Sequence, residues 1–454
     1  MNARVRKIAG SPAVAFGKAM DMVRSTGELI ANQKQLKKGR EYWATLGPGL
    51  TTGASDDDPS GIATYSQAGA QYGFQLLWLA AFTFPLMAVV QEMCARIGLV
   101  TGQGLAGNIR DRFPRWVLYS CTFLLVIANT LNIGADLGAM ARATQLLAGD
   151  LNFYALLLGF ALFSLSLQIL TPYKRYAKYL KWLALVLLSY IFSALSITLD
   201  WKSILFHGFI PSFSLSRKQI FLICGILGTT ISPYLFFWQT SQEIEEEVLK
   251  GKYTIESRRG ATKNDIKRMR VDVWSGMFLS NIVMFFIIAA CAATLYAHGV
   301  TNISTAEDAA LALRPLAGNY TYLLFAVGII GTGLLAIPVL AGAASYALSE
   351  SLGWQSGLYY RLKEAKAFYV IIVSAMVIGF GFNFIGLDSI RALLYSAVVN
   401  GLVAPVILTI IVLVSSDKRI MGERANKPFT TFLGWATTLV MFLAGTATIL
   451  SLFW

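Results

Sequence analysis

Charge is scarce in this sequence. Only 14% of its 454 residues are Asp, Glu, Lys or Arg, against 56% hydrophobic residues and a mean hydropathy of +0.57. Soluble domains carry roughly a quarter charged residues, so a soluble enzyme is excluded. Histidine is nearly absent, and His207 and His298 fall in expected outer loops, which excludes a mid-membrane histidine proton carrier or a histidine metal cluster. Cysteine is limited to Cys94, Cys121, Cys224 and Cys291, all in apolar stretches without metal-type spacing, so buried free thiols are expected. No nucleophile–base pair stands out, and no enzyme activity or cofactor is expected. Residues 1–43 carry charges throughout and no apolar core before a small-residue cleavage site, so no signal peptide is expected.

What is present is enough apolar sequence for a polytopic α-helical membrane protein, at about 20 residues per span. Eleven apolar segments are read, with cores near 45–70, 74–99, 116–148, 152–171, 179–199, 218–241, 273–297, 320–349, 367–385, 390–414 and 430–453. The 39 glycines suit helices that pack closely in a membrane. The net charge of +13 is a matter of topology and not of nucleic-acid binding. With a cytoplasmic amino terminus, 32 of the 38 Lys and Arg residues fall on inside segments and six outside. The expected location is the plasma (cell inner) membrane, multi-pass, with the lipid bilayer as surroundings and no obligate protein partner implied. The stretch 251–270 is expected as the main cytoplasmic loop, and the basic runs near 175 and 420 as cytoplasmic turns.

Two segments break the rules of a spanning helix. The first contains GASDDDPSGIA (residues 53–63), with three carboxylates, a proline and two glycines. The sixth contains GILGTTISPYLFF (residues 225–237), with Gly228, Thr229, Thr230, Ser232 and Pro233 in mid-span. Proline removes a backbone donor and clashes with the preceding turn, and exposed backbone survives in a membrane only where it lines a protein-buried cavity. The breaks are five spans apart, so they enter from opposite faces, and broken helices at matching positions of inverted repeats point to a transporter's midplane site. Unwound carbonyls with a carboxylate suit a hard cation. Asp58, directly before Pro59, is the central candidate ligand. Asp56 and Asp57 are expected as solvated residues near a water-filled vestibule, since three unpaired charges in lipid are expensive.

GPGLTTGASDDDPSGIATYSQAGAQYG resembles the first helix of the natural resistance-associated macrophage protein (NRAMP) transporters, whose hallmark there is Asp-Pro-Gly-Asn. ILGTTISPYL resembles that family's sixth-helix segment ending in Met-Pro-His, and ARIGLVTG (95–102) its second helix. The resemblance implies an all-α membrane protein of LeuT-type fold, with two inverted five-helix repeats, an eleventh helix, and broken helices 1 and 6. It divides the chain into a cytoplasmic arm (1–43) and a transporter domain (44–454), made of a first repeat (44–199), a second repeat (200–414) and an added helix (415–454). It implies transport of divalent metal ions, usually with protons, and no cofactor.

The departures point one way. Gly61 stands at the family's asparagine, Ser232 at its metal-binding methionine and Tyr234 at its histidine. Asp136 matches the third-helix aspartate, but Ala139 replaces the glutamate three residues on, and the ninth helix contains no arginine. Losing a thioether removes the preference for softer metals, and a roomier oxygen-only site suits a partly hydrated Mg²⁺. The sequence thus resembles the NRAMP-related magnesium transporter branch: Mg²⁺ and Mn²⁺ uptake by alternating access, without proton coupling. The alternatives are a proton-coupled Mn²⁺/Fe²⁺ symporter and a non-transporting metal-sensing receptor, the latter disfavoured by the lack of an appended signalling domain. The implied metal residues are Asp58, with Ser55 and Thr229 through backbone carbonyls and Gly61 and Ser232 through space, hydroxyl or water. Asn281 and Asn400 are intramembrane amides that either hold waters of a hydrated ion or bond neighbouring helices. Glu92 and Arg96 are expected to pair at i,i+4, as are Asp388 and Arg391 three apart. Glu243, Glu245, Glu246 and Glu247 are expected on a solvated face.

Overall fold

The computed structural model describes residues 34–451 except 150, 213–215, 304 and 385–388. Most of the amino-terminal arm therefore lies outside the described residues, as does the expected Asp388–Arg391 pairing. Helix α1 (Lys34–Thr45) belongs to a unit of its own that ends at Leu46, and a second unit starts at Gly47.

That second unit is helical throughout its described residues. The first span is two half-helices, α2 (Pro48–Asp56) and α3 (Pro59–Tyr72). Then come α4 (Trp78–Thr101), the short α5 (Leu105–Arg110), α6 (Arg115–Ala148) and α7 (Phe153–Leu170). The fifth span is α8 (Tyr173–Leu183), a 3-10 turn (Ala184–Leu187) and α9 (Leu188–Leu195), followed by α10 (Trp201–Phe209). The sixth is again broken, into α11 (Arg217–Thr230) and α12 (Pro233–Leu249). After the short α13 (Ile255–Arg258) come α14 (Lys263–Thr294), α15 (Ala306–Leu352), α16 (Lys366–Phe382), α17 (Ser389–Ser416), the short α18 (Lys418–Met421) and α19 (Pro428–Ser451). Among the described residues nine helices are long and apolar enough to cross a membrane. With the broken first span and the shorter Lys366–Phe382 they account for the eleven expected segments.

Alternation of the spans is visible in which loops meet. The segments after α4, α12 and α15 share one cavity, lined among others by Gln103, Arg110, Glu245, Arg258, Glu350 and Tyr359. At the other end the indole N–H of Trp78, at the start of α4, donates to the carbonyl of Ser212, after α10 (3.3 Å). Close helix contact rests on glycine. A Cβ on Gly49 or Gly53 of α2 would run into the backbone of Val273 or Gly276 of α14, and one on Gly134 of α6 into Gly379 of α16. Backbones in van der Waals contact replace the hydrophobic drive that lipid removes.

Three expectations need correction. The basic run near 175 is helical: Tyr173, Tyr176 and Leu180 are buried while Lys174, Arg175 and Lys178 are exposed, so one apolar stripe docks the turn sequence as α8. The long loop is shorter than expected, because Thr262 and Asp265 form a capping box that starts α14 at Lys263. The acidic run after the sixth span is not a solvated face, since Glu243, Glu245 and Glu247 are buried. Glu245 accepts from the Tyr346 hydroxyl (2.5 Å) and the Leu358 N–H (2.6 Å), Glu246 from the Tyr173 hydroxyl (3.1 Å), and Glu247 pairs with Lys250 (2.7 Å) and with Lys252. α12 packs against α4 and α15, and that places these side chains among donors. The four cysteines are free and buried, as expected.

Candidate metal centre at two helix breaks

The two breaks have nearly the same backbone. Asp57, the C-cap of α2, leaves the helical region (φ −87°, ψ 52°), Asp58 is extended (φ −68°, ψ 167°), and Pro59 starts α3. Ile231, the C-cap of α11, likewise leaves the helical region (φ −110°, ψ 58°), Ser232 is extended (φ −82°, ψ 131°), and Pro233 starts α12. Proline at the first helical position cannot donate, so the preceding residue leaves the helix and a new one begins. Asp58 and Ser232 therefore occupy matching positions, each before a half-helix whose N-terminal end carries positive partial charge.

Their side chains turn opposite ways. Asp58 caps forward, its carboxylate accepting from the Gly61 N–H at 2.7 Å. The Ser232 hydroxyl turns back, 2.7 Å from the Gly228 carbonyl and 2.6 Å from that of Thr229. No side chain caps α12. Gly61 lies where the breaks meet: the point a Cβ would occupy is 3.2 Å from the Asp56 carbonyl oxygen, 3.2 Å from the Thr229 hydroxyl and 3.5 Å from an Asp58 carboxylate oxygen. These three oxygens come from both breaks, and all three residues are buried.

The remaining expected residues fall into two groups. Ser55 and Thr229 flank the breaks, but the Ser55 carbonyl already accepts from the Tyr234 hydroxyl at 2.8 Å, and the Ser55 hydroxyl donates to Thr51 (2.7 Å). Asn281 is turned toward α4: its oxygen accepts from Thr83 (2.8 Å), and its amide donates to the Met277 carbonyl (2.9 Å) and faces the Met87 sulfur (3.4 Å). That is the helix-bonding alternative. Asn400 is buried in α17, where the following Gly401 packs on Cys224 and Gly228 of α11.

Asp56 and Asp57 are not solvated. Both are fully buried, because α2 is enclosed by α12, α14 and α15. One Asp56 oxygen accepts from the Ser280 hydroxyl at 2.9 Å, the other has no partner, and neither oxygen of Asp57 has one. Asp136 on α6 is also buried, with no hydrogen-bond partner for either oxygen. Among the described residues no three His, Cys, Asp or Glu side chains converge on a point, so the acidic triad is not a single ligand set.

Two groups beside the site carried little signal in the sequence. Ser280, next to the Asn281 that drew attention, is the residue that meets Asp56. Asp272 accepts from the N–H groups of Gly47 (2.7 Å), Gly49 (2.7 Å) and Leu50 (3.0 Å), and so caps α2 from another helix. Glu92 does pair with Arg96 (3.7 Å), yet its shorter bonds go to Arg270 (2.7 and 3.0 Å) and the Trp274 indole (2.8 Å).

The chain matches the family model described as natural resistance-associated macrophage protein-like over residues 49–451. It is similar to the divalent metal cation transporter MntH of Klebsiella pneumoniae subsp. pneumoniae, 26% identical over 426 residues that cover 92% of this chain and 96% of the relative. It is 27% identical over 403 residues to the divalent metal cation transporter MntH of Yersinia enterocolitica, covering 87% and 92%. Among solved structures it is similar to the Eremococcus coleocola manganese transporter, with a TM-score of 0.69 and 18% identity over 89% of this chain and 86% of that one. Mhp1, a nucleobase-cation-symport-1 family transporter, gives a TM-score of 0.55 with 13% identity, covering 89% and 91%.

Proposed function

The chain belongs to the natural resistance-associated macrophage protein-like family and has the LeuT-type fold, and from that premise we propose that it carries divalent metal ions across a membrane. It is a transporter and not an enzyme, and the metal ion is its cargo. The proposed ion site is the junction at Gly61, with Asp58 as charged ligand. Thr229 contributes oxygen, Ser55 a carbonyl once Tyr234 releases it, and Gly61 and Ser232 leave room for water, with Asn281 and Asn400 farther out.

Within that reading, the cargo is Mg²⁺, with Mn²⁺ also accepted, and transport is not proton-coupled. The observation that carries this is the oxygen set around Gly61: a carbonyl, a hydroxyl and one carboxylate, with Ser232 where the family's thioether resemblance falls. Hard oxygen donors suit Mg²⁺ that keeps part of its water shell. The amino terminus and the basic loops are taken to face the cytoplasm on the 32-to-6 distribution of basic residues. A second reading, proton-coupled Mn²⁺ transport, draws on Asp136, a carboxylate buried in α6 without a hydrogen-bond partner.

Flux of Mg²⁺ and Mn²⁺ into proteoliposomes with the internal pH recorded separates the two. Mg²⁺ entry without acidification is expected. Mn²⁺ entry with acidification and no Mg²⁺ flux supports the second reading.

A further inference from the structure

At the end of the molecule where the segments after α4, α12 and α15 meet, two adjoining clefts carry more positive charge than their neighbours offset. The first, of about 210 Å³, is lined by Arg112 before α6, Arg259 after α13 and Arg419 of α18. The second, of about 630 Å³, shares Arg112, Arg419 and Ile420 with the first and continues to Phe113, Leu413 and Val414. Two carboxylates stand at these clefts, and each already has its own guanidinium. Asp111 lies 3.7 Å from Arg110, and Asp417 accepts from Arg419 at 3.1 and 3.2 Å. Arg112 and Arg259 are exposed, and neither makes an ion pair or a side-chain hydrogen bond among the described residues. Two positive charges are therefore left without a match.

The walls of the first cleft are tied together across the chain. The Gly260 N–H donates to the Val100 carbonyl at 3.0 Å, and the Arg424 guanidinium donates to the Ala261 carbonyl at 3.3 Å. The buried Asn108 amide holds the turn after α4, 3.0 Å from the Thr101 hydroxyl and 2.9 Å from the Gly104 carbonyl. The second cleft opens on the lipid-facing surface. Val406 (49% exposed) and Leu413 (46%) stand seven residues apart, on one outward stripe of α17. Trp116, 72% exposed in the first turn of α6, follows Arg112 by four residues. Exposed indoles of this kind sit at the level of lipid headgroups. The guanidiniums thus stand at headgroup depth, with apolar side chains beside them. This is the end taken to face the cytoplasm, where anionic lipids concentrate.

We propose that the two clefts together hold one anionic phospholipid, its phosphate at Arg112 and Arg259 and part of an acyl chain along Phe113 and Leu413. Guanidinium groups bind phosphate oxygens through paired, charge-assisted hydrogen bonds. The apolar second cleft commits the occupant to a lipid, because a free phosphate has nothing to place there. The two arginines come from the segments before α6 and after α13, and Phe113 and Leu413 from α6's approach and from α17. A lipid seated among them joins three separate segments and stabilises their arrangement. The proposal does not depend on which ion fills the junction at Gly61.

The test uses the purified full chain in neutral detergent, read by native mass spectrometry and melting curves. The probes are phosphatidylglycerol, phosphatidylcholine and soluble glycerol phosphate. One phosphatidylglycerol per chain is expected to be retained in preference to phosphatidylcholine, and to raise the melting temperature. Arg112→Gln and Arg259→Gln are each expected to weaken that retention by about fivefold, equal to about 1 kcal/mol, the worth of one basic side chain at an anionic surface. Arg112→Lys with Arg259→Lys keeps the charge and is expected to recover most of the retention, which separates electrostatics from misfolding. Leu413→Ser is expected to weaken phosphatidylglycerol retention with both arginines in place. Equal retention of the two lipids overturns the proposal, as does retention that survives the double Arg→Gln change. Glycerol phosphate that stabilises the chain as much as phosphatidylglycerol also overturns it, because the arginines then serve a free phosphate and the apolar cleft has no part.

Discussion

The hydroxyl of Tyr234 donates to the main-chain carbonyl of Ser55 at 2.8 Å, joining the first turn of α12 to the last turn of α2. The bond ties the two breaks together and occupies the Ser55 carbonyl, one of the oxygens proposed for the ion. Tyr234 thereby has a structural task that a sequence comparison, which sets it at a histidine position, does not convey.

Tyr234→Phe removes that bond and frees the Ser55 carbonyl. The protein is expected to lose about 1–3 kcal/mol of stability, the cost of a buried carbonyl left without its donor. Divalent affinity is expected to rise by up to about tenfold, equal to about 1.4 kcal/mol, as the freed oxygen becomes a ligand. Chemical denaturation and Mn²⁺ calorimetry on the same sample check both halves, and weaker Mn²⁺ binding contradicts the second.

Asp58→Asn should separate charge from capping. Asparagine caps a helix about as well as aspartate, so the Gly61 bond and the melting temperature are expected to persist while Mg²⁺ binding falls below detection. Asp58→Ala should also lose binding and give up about 1 kcal/mol of cap. Unchanged Mg²⁺ affinity in a monodisperse Asp58→Asn sample would remove Asp58 from the site.

Selectivity should follow the side chains at the junction. Gly61→Asn with Ser232→Met fills the space bounded by the Asp56 carbonyl and the Thr229 hydroxyl, both 3.2 Å from the new Cβ, and adds a soft donor. Mn²⁺ uptake is expected to increase relative to Mg²⁺ in proteoliposomes. A ratio equal to that of the parent would mean that backbone carbonyls set the preference.

Glu92 should matter for stability and not for selectivity. It binds Arg270 through two bonds, the Trp274 indole and Arg96, with its side chain only 5% exposed. Removing one member of a buried pair costs about 3–5 kcal/mol, and because Arg270 is half-exposed the lower end is expected for Glu92→Ala. Melting curves measure the loss, and the Mg²⁺-to-Mn²⁺ transport ratio of the surviving fraction should be unchanged.

Proton movement is expected to be absent. The positions that resemble the family's proton route hold Ala139 and Tyr234, and α16 carries no arginine. An internal pH dye during Mg²⁺ uptake at clamped potential should stay flat. Acidification that vanishes in Asp136→Asn would assign Asp136, buried and unpartnered on α6, the coupling task.

The span count and the two breaks were legible in the one-dimensional chain. Proline, glycine and charge inside an apolar segment carry a cost in a membrane that is local to the segment, and Asp58-Pro59 and Ser232-Pro233 announce it without reference to any neighbour. Tertiary structure alone decided how each polar group satisfies its hydrogen bonds. Ser280 and not Asn281 meets Asp56, Tyr234 occupies the Ser55 carbonyl, Arg270 outweighs Arg96 at Glu92, and Glu243, Glu245 and Glu247 are enclosed. A hydrogen bond needs its atoms within about 3 Å and in line, and the partners here stand as many as 224 residues apart in the chain. Helix periodicity says which face a side chain takes, but only the packing of one helix on another says what waits there.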